Sequence, residues 1–105
     1  MRGELLALLS LQDCWFTSEV VDAAVPRLCR DGHLDLPVLQ YRAGGFTLPT
    51  PALAIAVQAG GRLLGHLVCQ PTPDVPVSVD RRRAAIGLAD VFGLALAGEV
   101  ARTLP

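Results

Sequence analysis

The sequence predicts a single α+β domain, in which a central antiparallel β-sheet carries the N-terminal and C-terminal helices on one face. Leucines at helical spacing follow the first residues, two apolar segments flank Gly60-Gly61, and a long segment rich in alanine and leucine comes last. With 105 residues the chain can bury one core and has little to spare. We therefore expect residues 1–105 to form one domain.

The N-terminal segment RGELLALLSL predicts a short helix over residues 3–11, because Leu5, Leu8 and Leu9 fall on one helical face. The next segment, DCWFTSE, predicts a strand, since tryptophan and phenylalanine favour extended structure. The segment VVDAAVPRLCRDGHLD is ambiguous. It could form one helical turn before its proline, and RDGH is typical of a turn.

Two hairpins follow, each with a Gly-Gly turn. PVLQYRAGGFTLP predicts the first, around Gly44-Gly45, and ALAIAVQAGGRLLGHLVCQ predicts the second, around Gly60-Gly61. The primed turns of two-residue hairpins need positive φ, which glycine adopts without strain. A phosphate-binding loop is disfavoured, because no G-x-G-x-x-G leads into a helix and the chain has no lysine.

In the second hairpin, pairing Ala59 with Arg62 and counting outwards predicts which side chains share a face. One face collects Ala52, Ala54, Ala56, Gly65, Leu67 and Cys69, and the helices are expected to pack there. The other face is aliphatic around one histidine and is the candidate ligand-binding surface: Leu53, Ile55, Val57, Leu64, His66 and Val68. His66 is either a ligand contact or a histidine at the edge of the core with one backbone partner.

A proline-rich connector leads to the last predicted helix, over residues 79–102. Ser78 is expected to be its N-cap, and Asp80 lies in its first turn. An apolar stripe follows one side of this helix: Ile86, Ala89, Phe92, Leu96 and Val100. Small residues recur every four positions: Ala89, Gly93, Ala97 and Ala101. Such a ridge permits close approach of another helix or of the sheet.

Charge and cysteine content argue against several classes of function. The net charge is −1 and only Arg81–Arg83 form a cluster, so we expect no nucleic-acid binding. The three cysteines lie outside any C-x-x-C and only two histidines accompany them, so we expect neither a metal site nor a disulfide framework. Free thiols favour the cytoplasm. No Ser–His–acid set indicates a catalytic site, and no cofactor is implied.

The segment from residue 52 to residue 102 resembles a known family. ALAIAVQAGGRLLGHLVCQPTPDVPVSVDRRRAAIGLADVFGLALAGEV, with its apolar strand, glycine turn, second strand and Ser-capped helix, is similar to the C-terminal half of a GAF domain. It looks most like the short GAF-like segments of high-GC bacteria that follow a membrane sensor region. A standard GAF domain carries extra helices and loops around its ligand pocket, for which residues 17–51 are too few. The resemblance therefore implies a truncated GAF/PAS-like fold.

This resemblance implies a non-enzymatic sensory or regulatory domain of a bacterial signalling protein, in the cytoplasm or at the cytoplasmic face of the membrane through attached segments. It implies action through a homodimer, or through contact with an attached membrane-sensor or signalling domain. Together with the 51% hydrophobic composition, it predicts a dimer interface on the terminal helices: Leu5, Leu9, Ile86, Phe92, Leu96 and Val100.

Two alternatives stay open at this point. A thiol-based redox enzyme, similar to GAF-like methionine sulfoxide reductases, requires two of Cys14, Cys29 and Cys69 within bonding distance near a pocket. A pure interaction module has no ligand pocket and buries His66 against other side chains. We expect the cysteines to be buried free thiols.

Overall fold

The computed structural model describes residues 2–35, 48 and 51–103, and describes residues 35 and 100–103 by their backbone alone. Within these residues the elements are α1 (Arg2–Leu9), β1 (Leu11–Thr17), β2 (Arg27–Leu28), β3 (Leu34–Asp35), β4 (Leu53–Ala59), β5 (Arg62–Pro71) and α2 (Val79–Thr103). The described strands form one sheet in the order β1-β5-β4-β2-β3. The predicted α+β fold, with a central sheet and terminal helices, is confirmed.

The sheet is mixed, whereas the sequence predicted a wholly antiparallel sheet. β2 pairs in parallel with β4, with Arg27 opposite Ala54 and Leu28 opposite Ile55, while the other described pairs are antiparallel. The path of the chain gives the reason. In the sheet, β2 is separated from β1 by the positions of β5 and β4. The connection between β1 and β2 is therefore a crossover, and the two strands run in the same direction.

The register of β4 and β5 differs from the predicted one beyond the turn. Ala59 lies opposite Arg62 as predicted, but Val57 lies opposite Gly65, which leaves Leu64 as the extra residue of a β-bulge. From the bulge onwards each residue of β5 pairs one position away from its predicted partner. Because side chains alternate between faces, the predicted grouping of β5 with β4 side chains is wrong.

The bulge collects the large buried side chains of both strands on one face, which we call the inner face. Its members are Leu53, Ile55, Val57, Gly65, Leu67 and Cys69. α1 and α2 pack on this aliphatic face, so the prediction that they cover the small-residue face is wrong. Gly65 leaves room for β1, because a Cβ atom there would lie 2.3 Å from the carbonyl oxygen of Thr17 and 2.7 Å from the ring of Phe16.

The two helices pack against each other as well as against the inner face. Phe92 of α2 meets Phe16 of β1 edge to face, with ring centroids 5.3 Å apart. A Cβ atom at Gly93 would lie 2.3 Å from the carbonyl oxygen of Gln58, so only glycine allows α2 to lie this close to β4. Ala89 is fully buried. The small-residue ridge is therefore a packing surface at Ala89 and Gly93, as predicted.

The predicted start of α2 is confirmed. The N–H of Arg81 donates to the Ser78 hydroxyl at 3.3 Å, which is the contact expected of an N-cap. The arginine cluster here is structural: Arg82 donates to the carbonyl of Gly32 at 3.5 Å, and Arg83 donates to the carbonyl of Asp31 at 2.9 Å. Burial lowers the pKa of Arg82 from its usual value.

The segment before Pro26 and the RDGH segment both form turns. The N–H of Val25 donates to the carbonyl of Asp22 at 3.0 Å, and the RDGH turn holds Gly32 at φ 89°. The Gly60-Gly61 turn has φ of 59° and 77°, so the predicted primed turn is confirmed. The predicted hairpin around Gly44-Gly45 lies outside the described residues. No helix in the described part of the chain is long and apolar enough to cross a membrane.

Candidate binding face of the sheet

The face of the sheet opposite the helices is the candidate functional site, and we call it the outer face. Cross-strand pairing places its residues in two rows. One row contains Thr17, His66 and Ala56, and the other contains Trp15, Val68, Ala54 and Arg27. Residues that pair across strands point to the same side, so these seven side chains share one surface.

Apolar side chains on this face are only partly covered. Trp15 is 43% exposed, Val68 and His66 are half-buried, and Ala56 is exposed. A large aromatic side chain left open beside aliphatic neighbours is typical of a binding surface, because indole combines apolar area with one hydrogen-bond donor. The outer face therefore has the chemistry of a contact surface, while the inner face has that of a core.

Arg27 fixes the loop beside this surface. Its guanidinium donates to the carbonyls of Val21 at 3.2 Å and Asp22 at 3.3 Å, and also to the carbonyl of Val25. These bonds hold the turn between β1 and β2 against the start of β2. Ala54, directly opposite Arg27 on β4, is fully buried. One end of the outer face is thus closed by protein, while Trp15 is open.

His66 is neutral at neutral pH. Burial, and to a smaller extent the positive charge of Arg27, hold the pKa of the His66 imidazole below its usual value. A neutral imidazole offers one N–H donor and one nitrogen acceptor. Beside Thr17 and Trp15, His66 can therefore fix the orientation of a bound group through hydrogen bonds.

The six residues predicted to bind a ligand do not form one surface. His66 and Val68 lie on the outer face, whereas Leu53, Ile55 and Val57 are fully buried under the helices. Leu64 is half-buried at the bulge. The predicted set does not contain Trp15, Thr17 or Arg27. These join the site only through the pairing of β1 with β5 and of β2 with β4, which alternation within one hairpin does not reveal.

Two of the cysteines lie close together, as a thiol enzyme requires, but they are not exposed to a substrate. Cys14 and Cys69 lie opposite each other with sulfur atoms 3.8 Å apart, but both belong to the core and are 4% and 0% exposed. The hydrogen bond with Cys14 and the burial of its own sulfur raise the pKa of the Cys69 thiol. None of the three cysteines forms a disulfide. Both sulfur atoms of the close pair are therefore shielded from solvent.

The residues predicted for a dimer interface differ in how deeply they are buried within the chain itself. Leu5, Leu9 and Ile86 are at most 6% exposed and belong to the core of the chain itself, while their contact with a second copy stays a prediction. Phe92 and Leu96 are half-buried. Val100 is described by its backbone alone. Ile86 and Phe92 belong to the side of α2 that packs on the core.

Among the described residues no group of three or more His, Cys, Asp or Glu side chains is placed to hold a metal ion. No protein-family model, no curated protein and no solved structure matches the chain. The resemblance to GAF domains stays a prediction based on residues 52–102.

Proposed function

We propose that the chain is a non-enzymatic sensory or regulatory domain of GAF-like type, which receives a small molecule or an attached domain on its outer face. The observation that carries this proposal is the division of the sheet. Helices cover the inner face, while the opposite face presents an exposed Trp15 beside a neutral His66. An open apolar surface with a few polar groups is the usual form of a recognition site.

The chemistry of the outer face favours binding over catalysis. Its described side chains provide an indole, an imidazole, a hydroxyl and aliphatic groups, and the guanidinium of Arg27 is already bonded to backbone carbonyls. The GAF-like role also includes signalling by self-association or by contact with an attached membrane-sensor domain. Cysteines that form no disulfide suit a reducing compartment, so we place the domain in the cytoplasm.

Trp15 provides a direct test, because it is the only tryptophan of the chain and it lies on the outer face. Intrinsic fluorescence is measured while planar heteroaromatic compounds such as indole and adenosine are added. We expect a saturable change that is weakened by His66→Ala and retained by Arg62→Ala, a control at the exposed hairpin turn. A saturable change of equal affinity in wild type and His66→Ala would contradict this assignment of the site.

The second candidate is a thiol-based redox enzyme, which the 3.8 Å separation of Cys14 and Cys69 favours. It is tested by incubating the protein with free methionine sulfoxide and dithiothreitol and measuring methionine. Turnover that disappears in Cys14→Ser would overturn the non-enzymatic proposal. An identical background rate for the wild type, Cys14→Ser and a blank without protein would support the non-enzymatic proposal.

A further inference from the structure

α2 has a second apolar side that points away from the sheet, and we call it the outward face. It consists of Ala84, Gly87, Val91, Leu94, Ala95 and Gly98. Val91 is 62% exposed and Leu94 is 65% exposed. The spacing of three and four residues places all six positions on one stripe of the helix. This stripe is separate from the one that packs on the inner face.

The glycines of the outward face are not required by any close contact within the described part of the chain. A Cβ atom at Gly87 or at Gly98 would meet no heavy atom within 4 Å, whereas Gly93 on the opposite side is required by contact with Gln58. Glycine is among the least favourable residues inside a helix. Small side chains at both positions permit a second helix to approach closely.

Charge is absent from the outward face itself, and charged residues lie at both of its ends, Asp80 and Arg81 at one end and Glu99 at the other. Between Arg83 and Glu99 the only charged residue is Asp90, which lies on the flank and is held by Arg30 through two bonds of 3.0 and 2.6 Å. Arg81 and Glu99 are both exposed. Since a helix has about 3.6 residues per turn, their separation of about five turns places them on the same side, roughly 27 Å apart.

We propose that α2 packs antiparallel against α2 of a second copy of this chain, about a two-fold axis close to Asp90 and Val91. Reversal of one helix places Arg81 opposite Glu99 of the partner subunit, and the symmetry repeats the same ion pair at the other end. Val91 and Leu94 are buried at the centre of this contact. A parallel arrangement would instead gather the arginines at the start of α2 from both subunits at one end of the contact, where like charges repel. Self-association belongs to the proposed function, and this inference names its surface.

Charge reversal tests the arrangement by sedimentation equilibrium at micromolar concentration. We expect the wild type to be a dimer, and Arg81→Glu or Glu99→Arg alone to raise its dissociation constant by about tenfold, because each creates repulsion at both symmetric contacts. The double variant should recover the affinity. Both single changes favour the dipole of α2, since they place a carboxylate near its N-terminus and a guanidinium near its C-terminus. A folding defect is therefore not expected, and thermal melts check this.

Mixing the two single variants gives the sharpest result. One chain then carries a carboxylate at both ends of the outward face and the other carries a guanidinium at both ends, so the mixture should form a heterodimer tighter than either homodimer. Arg62→Glu is the matched control, because it makes the same charge change at the hairpin turn. A monomeric wild type, or a dimer that responds alike to Arg62→Glu and Arg81→Glu, would overturn the proposal. Trp15 fluorescence reports on the outer face independently, which separates this failure from failure of the proposed function.

Discussion

The sulfur atoms of Cys14 and Cys69 lie 3.8 Å apart across the antiparallel pair of β1 and β5, beneath the helices. A disulfide requires a separation of about 2.05 Å, so the two thiols are neighbours without being bonded. Their proximity follows from the register of two strands that are distant in sequence. It makes the reactivity of these thiols a sensitive measure of how tightly α1 covers the sheet.

We predict that the three cysteines react at two different rates. Cys29 is half-buried, while Cys14 and Cys69 are buried, so a thiol reagent such as dithionitrobenzoate should modify one thiol quickly and two slowly. Cys29→Ser should abolish the fast phase, and denaturant should merge the phases. Rapid modification of Cys14 in the folded chain would show that the core around it opens readily.

We predict opposite effects for two alanine substitutions in α2. Gly93→Ala forces a Cβ atom against the carbonyl oxygen of Gln58 and should reduce the free energy of unfolding by about 1–3 kcal/mol. Gly87→Ala meets no obstacle and should increase it by up to about 1 kcal/mol through helix propensity. Denaturant unfolding in an Arg81→Glu background separates these effects from association. Equal effects of the two substitutions would contradict the close approach of α2 to β4.

We predict that the hairpin turn tolerates only residues that adopt positive φ. Replacing Gly60 and Gly61 together with valine should cost about 2–4 kcal/mol, because each valine is strained in this conformation by about 1–2 kcal/mol. Gly61→Asn is the matched control and should cost far less, since asparagine enters the left-handed region more readily. Thermal melting measures all three chains. An unchanged melting temperature for the valine variant would contradict the turn.

We predict that His66 makes the fold less stable as the pH falls below neutrality. Burial lowers the pKa of His66 in the folded state, so the unfolded chain takes up its proton at a higher pH. Its contribution is complete above the ordinary histidine pKa of about 6.5 and decreases as the pH falls through the lowered folded value. His66→Gln should flatten this decline, and Arg62→Gln, at the exposed hairpin turn, should retain it. A decline unaffected by His66→Gln would refute the assignment.

Much of the fold could be predicted because its signals are local. The Ser78 cap, the start of α2 and the Gly60-Gly61 turn each depend on a few adjacent residues, and all three are confirmed. The bulge at Leu64 could not be predicted, because RLLGHLV is compatible with a strand in either register. It is decided by the burial of Leu67 and Cys69 with the large side chains of β4, which is a tertiary effect.

The candidate site was harder to predict from the sequence, because it also depends on tertiary contacts. His66 was identified because it is a lone polar residue in an apolar strand. Trp15 and Arg27 reach its surface from strands whose partners lie far away in the sequence. β2 has only two residues and gives no periodic signal, so the parallel pair with β4 had no counterpart in the sequence.

The pairing of β1 with β5 also determines the order in which the chain matures during biosynthesis. Leu11 finally lies opposite Pro71, so β1 leaves the ribosome long before its only described partner strand has been made. β4 and β5 are adjacent in sequence and can close their hairpin as soon as both emerge, whereas closing the β1 pair requires a long loop. A nascent chain that has made β1 but not yet β5 therefore exposes an unpaired strand and the indole of Trp15. Until β5 is made, we expect this segment to be prone to aggregation, because unpaired strands and exposed apolar surface associate readily.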